Sequence, residues 1–253
     1  MWVWRQIRSL YEYFVLYGGL LFFALICLAW SLPAGVLRHL LPHRTGQRVG
    51  RYAIMLVFRT YLFVVRASGL VKLDLTALDA LRKEPSLVIA TNHPALIDVV
   101  LVGSRLPNFV CVLKAKLLDN PLLGGGASMA GYVRNDSTAM LMRESNVALR
   151  EGAQLLIFPE GTRTVQPPVN EFKGGFALVA KKAGVPIQTV FIEASSPFLG
   201  KHWSFFDKPN FPLCYKVRLG ERFEVKGDAK TFAANLEDYY RREMQAPKDR
   251  ENA

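Results

Sequence analysis

Two short polar motifs about sixty residues apart hold the side chains best suited to chemistry. The first is Asn92-His93-Pro94-Ala95-Leu96-Ile97-Asp98, and the second is Phe158-Pro159-Glu160-Gly161-Thr162-Arg163. An imidazole such as His93 can take a proton from a hydroxyl as that hydroxyl attacks a carbonyl. It needs a carboxylate, here Asp98, to fix its tautomer and steady the imidazolium. A gap of five residues does not share one helix face. The pair meets only if His93 and Pro94 sit in a turn and Asp98 in the first turn of the helix after it. In the second motif, Gly161 gives a flexible turn, Thr162 a hydroxyl, and Arg163 a guanidinium that can fork onto a phosphate. Glu160 can hold that arginine or bond an acceptor hydroxyl. The plainer readings are a helix cap at Asn92 and a surface Glu–Arg turn.

Elements must bring these motifs together. Apolar runs at 86–91 and 154–158 precede them and read as strands, and polar residues at strand ends of an α/β sheet are where sites collect. Further strands are expected at 108–113, 131–133, 186–193 and 213–217, and helices at 96–104, 138–151, 174–183 and 231–244. This alternation predicts an α/β fold: a mostly parallel sheet flanked by helices. The expected division is a helical membrane-associating segment over 1–72, a catalytic domain over 73–244 and a loose tail over 245–253.

The front of the chain is different in kind. Residues 13–37 carry no charge, and Glu12 and Arg38 bracket them. A helix of that length can cross a hydrocarbon core of roughly 30 Å. Gly18, Gly19 and Pro33 leave a bent or re-entrant course open. Of the net charge of +11, +8 lies in residues 1–72, where nine basic side chains face Glu12 alone. A basic cluster beside an apolar run fits an anionic membrane better than nucleic acid. After a basic connector at 41–46, a second apolar stretch carries Arg48, Arg51, Arg59 and Arg66 within an arc of about 80°. That stripe points toward lipid phosphates, or toward acids of the main domain if the helix is buried. Cys27, Cys111 and Cys214 form no pair pattern, so the catalytic part reads as reduced and facing the cytosol. His39 and His43 lack further ligands, so no metal is expected.

The motifs resemble those of the glycerolipid acyltransferases, the lysophosphatidic acid acyltransferases and their relatives. The hexapeptide 158–163 carries the likeness most specifically. Val185-Pro186-Ile187, Phe172-Lys173-Gly174-Gly175 and the segment from Lys114 to Gly124 add to it. The likeness spans roughly residues 73–220 and departs at Gly131-Tyr132-Val133-Arg134, where an Asp-Arg order is lost.

The resemblance implies a membrane-bound O-acyltransferase with His93 as base and Asp98 behind it. Glu160, Gly161, Thr162, Arg163, Arg134 and Lys173 would bind the acceptor's phosphate, and Val185, Pro186 and Ile187 would shape the acyl or acceptor pocket. The donor would be acyl-CoA or an acyl carrier protein, with no cofactor. The acceptor would be 1-acylglycerol 3-phosphate, with another lysolipid or a glycolipid as the alternative. From another class, a non-catalytic lipid- or nucleic-acid-binding protein stays open. The expected location is the bacterial inner membrane, catalytic domain toward the cytoplasm, with a spanning and a one-sided helix pair both possible. No Gly-x-Ser-x-Gly elbow occurs, so the acceptor hydroxyl itself is the expected nucleophile.

Overall fold

A computed structural model describes residues 2–120 and 123–245. The tail expected at 245–253 lies outside them from 246 onward, as do residues 121 and 122. The chain opens with two long helices, α1 (Trp2–Leu40) and α2 (His43–Ala67). The expected basic connector is mostly the first turn of α2, and α1 runs unbroken through Gly18, Gly19 and Pro33. The helices form an antiparallel hairpin. Phe23 packs on Tyr61 and Phe58, and the Tyr11 hydroxyl donates to the Ser68 carbonyl.

Seven strands follow: β1 (Val71–Asp74), β2 (Val88–Thr91), β3 (Phe109–Leu113), β4 (Val133–Arg134), β5 (Gln154–Ile157), β6 (Ile187–Ala194) and β7 (Leu213–Phe223). They form one sheet in the order β1-β7-β6-β2-β5-β3-β4. Only the β6–β7 pairing is antiparallel among the described strands, so the expected mostly parallel α/β sheet is present. β1 was not anticipated, and it straddles the boundary drawn after residue 72. Helices α3 (Asp98–Gly103), α4 (Ala115–Leu118), α5 (Gly124–Met129), α6 (Thr138–Arg150), α7 (Gly175–Ala183) and α8 (Ala229–Gln245) complete the order.

Local chemistry explains the ends. Ser137 caps α6 by accepting from the Met140 amide, and Gly184 ends α7 in the left-handed conformation that glycine adopts freely. The buried strand interiors are mostly Val, Ile, Leu and Ala, with Phe109, Phe191 and Tyr215 among them, as a sheet covered on both faces requires.

α5 shows why three glycines occur in a row. A Cβ on Gly125 would lie 2.1 Å from the Ser31 carbonyl oxygen of α1, and one on Gly126 2.8 Å from the Trp30 ring. The run is a packing seam against α1.

Candidate active site

Strand pairing brings the two motifs together. β2 and β5 are parallel neighbours, with Val88 beside Leu155, so the residues after each strand leave the sheet at the same edge. His93 follows β2 and Pro159 to Arg163 follow β5. Asp98 is the first residue of α3, five residues past His93 as the turn-then-helix reading requires.

The His93 Nδ1 lies 2.8 Å from the Asp98 Oδ2, and that same oxygen accepts the Ala95 amide at 2.9 Å. Asp98 is fully buried, and its other oxygen has no partner among the described residues. Burial pushes the Asp98 carboxyl upward; its hydrogen bond to His93 pulls the other way. With the carboxylate ionised, Nδ1 carries the ring proton and Nε2 keeps its lone pair. Phe158 stacks on the imidazole at 3.8 Å between centroids and 19° between planes, which fixes the ring's plane. Asn92 is not a helix cap. Its side chain donates to the Ile192 carbonyl and accepts the Ile192 amide, stitching the end of β2 to β6.

Glu160 is placed differently from the expectation. It is buried, and its carboxylate accepts the His93 amide at 2.9 Å, the Asn170 amide at 2.8 Å and the Thr164 hydroxyl at 2.8 Å. It holds neither Arg163 nor an open position for an acceptor. It binds the two motifs to each other through the backbone of His93. Burial raises its carboxyl, against those bonds.

Gly161 has φ +67°, and a Cβ there would come 3.1 Å from the Lys173 side chain. The backbone conformation is what calls for glycine; the lysine tip could move aside. Arg163 donates through Nη1 to the Leu199 and Gly200 carbonyls at 2.9 and 2.7 Å, and no ion pair to a carboxylate is formed among the described residues. Its charge is held in place without being cancelled.

His93, Phe158, Gly161, Thr162, Arg163 and Lys173 all line one cavity of about 1030 Å³. Its far walls are apolar and come largely from the front hairpin: Phe23, Cys27 and Trp30 of α1, and Ile54, Phe58 and Tyr61 of α2. Lys114, Lys116 and Lys201 also border it, and no acidic residue does among the described residues. The site therefore combines a base, several cations and a long apolar chamber.

Two expected groups lie elsewhere. Arg134 does not line the cavity; its guanidinium meets Asp136 at 2.9 Å and Asp119 at 3.4 Å, so its charge is already answered. Val185, Pro186 and Ile187 do not line it either. Ile187 pairs with Val88, at the start of β2, so the segment sits at the edge of the sheet opposite His93. Of the arginine stripe on α2, Arg51 is buried and bonds Ala130, Asn108 and Gln47, whereas Arg48, Arg59 and Arg66 are exposed. Sequence reasoning missed Phe158 as a ring partner, and missed the hairpin as cavity wall. The aromatic that opens the second motif was the one available signal for the first.

Residues 72–193 match the family model described as Acyltransferase. A lyso-ornithine lipid O-acyltransferase of Pseudomonas aeruginosa is 32% identical over 193 residues, 70% of each chain. A 1-acyl-sn-glycerol-3-phosphate acyltransferase of the same organism is 22% identical over 213 residues, 82% of this chain and 79% of its own. The crystal structure of the LPA acyltransferase PlsC from Thermotoga maritima has the same fold, with TM-score 0.60 at 19% identity over 96% of this chain and 98% of its own. Shared motifs, shared fold and this degree of identity place the chain in the acyltransferase family of glycerolipid enzymes, the 1-acyl-sn-glycerol-3-phosphate acyltransferases and their relatives.

Proposed function

We propose that this enzyme moves a fatty acyl group from an acyl thioester, acyl-CoA or an acyl carrier protein, to the hydroxyl of a lysolipid, with 1-acylglycerol 3-phosphate as the acceptor and phosphatidic acid as the product. One observation carries the reading: a carboxylate-held imidazole opens onto an apolar chamber beside the uncancelled charge of Arg163. His93 Nε2 takes the acceptor's hydroxyl proton while Asp98 steadies the imidazolium. The alkoxide oxygen attacks the thioester carbonyl, and a tetrahedral oxyanion forms. The carbon–sulfur bond then breaks and the thiolate takes the proton from His93. Arg163 and Lys173 hold the anionic headgroup so that the hydroxyl reaches the ring. The apolar walls take the acyl chain.

A second reading concerns the acceptor. Arg134 is tied to Asp119 and Asp136, which leaves fewer cations for a phosphate. A lysolipid with a carboxylate headgroup, as in an ornithine lipid, needs only the fork of Arg163, and the relative at 32% identity is named for that acceptor.

The membrane reading rests on α1. Its exposed side chains Ile7, Leu10, Phe14, Leu21, Leu25, Leu32, Val36 and Leu40 form one row along the whole helix. The opposite face packs on the domain, from Glu12 at Lys208 to Ser31 at Gly125. That packed stretch is about 28 Å long at 1.5 Å per residue, close to a hydrocarbon core's thickness. A helix crossing the bilayer would drag the domain in with it, so α1 lies along the leaflet. Arg48, Arg59 and Arg66 of α2 then face anionic headgroups, as on the cytoplasmic side of a bacterial inner membrane.

The test is His93→Ala with an acceptor panel. Transfer should fall at least a thousandfold while vesicle binding persists; retained transfer would remove His93 as the base. Lysophosphatidic acid, lyso-ornithine lipid, lysophosphatidylcholine and a sugar lipid, each offered with both donors, separate the two acceptor readings.

A further inference from the structure

The largest exposed aromatic group outside the helices is on the loop between β6 and β7. Phe206 is 81% exposed and Phe205 54% exposed. Large apolar rings held out in water mark a contact surface. The loop is not loosely hung. Phe205 packs on Tyr17 of α1 at 5.3 Å, and the Tyr17 hydroxyl donates to the Phe205 carbonyl. Lys208 binds Ser9 and Glu12 of α1 and lies over the Tyr13 ring. The loop thus meets α1 along Ser9, Glu12, Tyr13 and Tyr17, and Tyr17, three residues past Phe14, stands at the margin of the exposed row. A bilayer lying against that row would meet these two rings next, beside the exposed Lys201.

The other end of this loop is in the active site. Leu199 adopts φ +59°, a strained conformation for a leucine. Its carbonyl accepts both the Leu96 amide, within the first motif, and Arg163. The next carbonyl, of Gly200, accepts Arg163 again. Gly200 is also joined to Trp203, whose ring contacts Phe205. Only five residues separate the carbonyl that fixes Arg163 from the first ring of the pair.

We propose that Phe205 and Phe206 insert into the lipid leaflet and that this loop sets Arg163 at headgroup depth, so that the lysolipid enters sideways from the membrane. The proposal rests on the reading that α1 lies on the bilayer and that the acceptor is a lysolipid.

The experiment uses the full chain with Cys214→Ser and Phe206→Cys, the new thiol carrying an environment-sensitive dye, on vesicles of phosphatidylethanolamine and phosphatidylglycerol. Co-sedimentation first establishes that the protein is bound. The dye should then brighten several-fold and be quenched by lipids with a nitroxide on the acyl chain. The same dye at the exposed position 226, introduced as Lys226→Cys, should not respond. A dye at 206 that stays aqueous on vesicle-bound protein overturns the proposal while leaving the α1 reading intact.

Activity gives a second measure. Phe206→Ser should raise the KM for lysolipid presented in vesicles roughly tenfold, from the loss of one buried ring. It should leave turnover of a water-soluble short-chain lysolipid unchanged. Equal effects on both, or no effect on either, overturn the proposal. If unmodified protein acylates no lysolipid, the proposed function fails instead, and the dye still reports on the loop.

Discussion

Two buried carboxylates do separate work at the site, and their chemistry can be told apart. Burial raises both Asp98 and Glu160, so each proton is held more tightly in the folded chain than in the unfolded one. Such a group costs stability once ionised. The cost is absent below the unfolded-state value near 4 and grows as pH rises toward the folded-state value. Asp98→Asn keeps one oxygen to accept both His93 and Ala95 and removes the charge. It should lower kcat by about two orders of magnitude or more, from loss of the imidazolium's partner. In detergent at pH 8 it should melt no lower than wild type, and any advantage should shrink at pH 4. Unchanged kcat would show that the carboxylate's charge is unused. Glu160→Gln puts an amide nitrogen against one of three donors. It should cost about tenfold in kcat, in line with a lost buried bond, with the acceptor KM within about twofold. A rise in KM alone would return Glu160 to the headgroup.

At the level of elements, the hairpin and sheet are joined by the glycine seam of α5. Gly125→Ala drives a methyl into the Ser31 carbonyl, an overpacking cost of about 1–3 kcal/mol. Thermal unfolding should drop by several degrees, and proteases should cut first around Leu41 and Pro42. Identical melting and cleavage would mean that α1 sits farther from α5. Most of these elements could be read in the chain itself. Strands β2 and β5 are apolar runs that end in polar motifs, and the turn-then-helix placement of His93 and Asp98 follows from spacing alone. β1 escaped because Val71-Lys72-Leu73-Asp74 is only four residues long, too short for its alternation to stand out after the Ser68-Gly69 turn. What escaped at the site was long-range pairing. Asn92 meets Ile192 a hundred residues away, and Glu160 reaches His93 across sixty-seven. Arg51 is buried against a carbonyl seventy-nine residues away, which its neighbours in the chain do not foretell, whereas Arg134 is answered by Asp136 only two residues on.

Across the whole molecule, charge and greasiness meet on the exposed side of the front hairpin's second helix. The exposed arginines of α2 share a face with the exposed Tyr52, Leu56 and Phe63. Each arginine near anionic headgroups contributes about 1 kcal/mol. Changing Arg48, Arg59 and Arg66 together to Gln should weaken binding to phosphatidylglycerol vesicles at low salt by about a hundredfold. Binding to phosphatidylcholine vesicles should barely change, and equal losses on both would place the stripe away from the headgroups. The wall formed by Phe23, Trp30, Phe58 and Tyr61 has one more consequence. Clipping off the first 67 residues, the usual route to a water-soluble fragment, would strip an aromatic wall from the chamber along with the proposed anchor. Such a fragment would keep its imidazole and carboxylate but open the fatty tail's bed to water on one side.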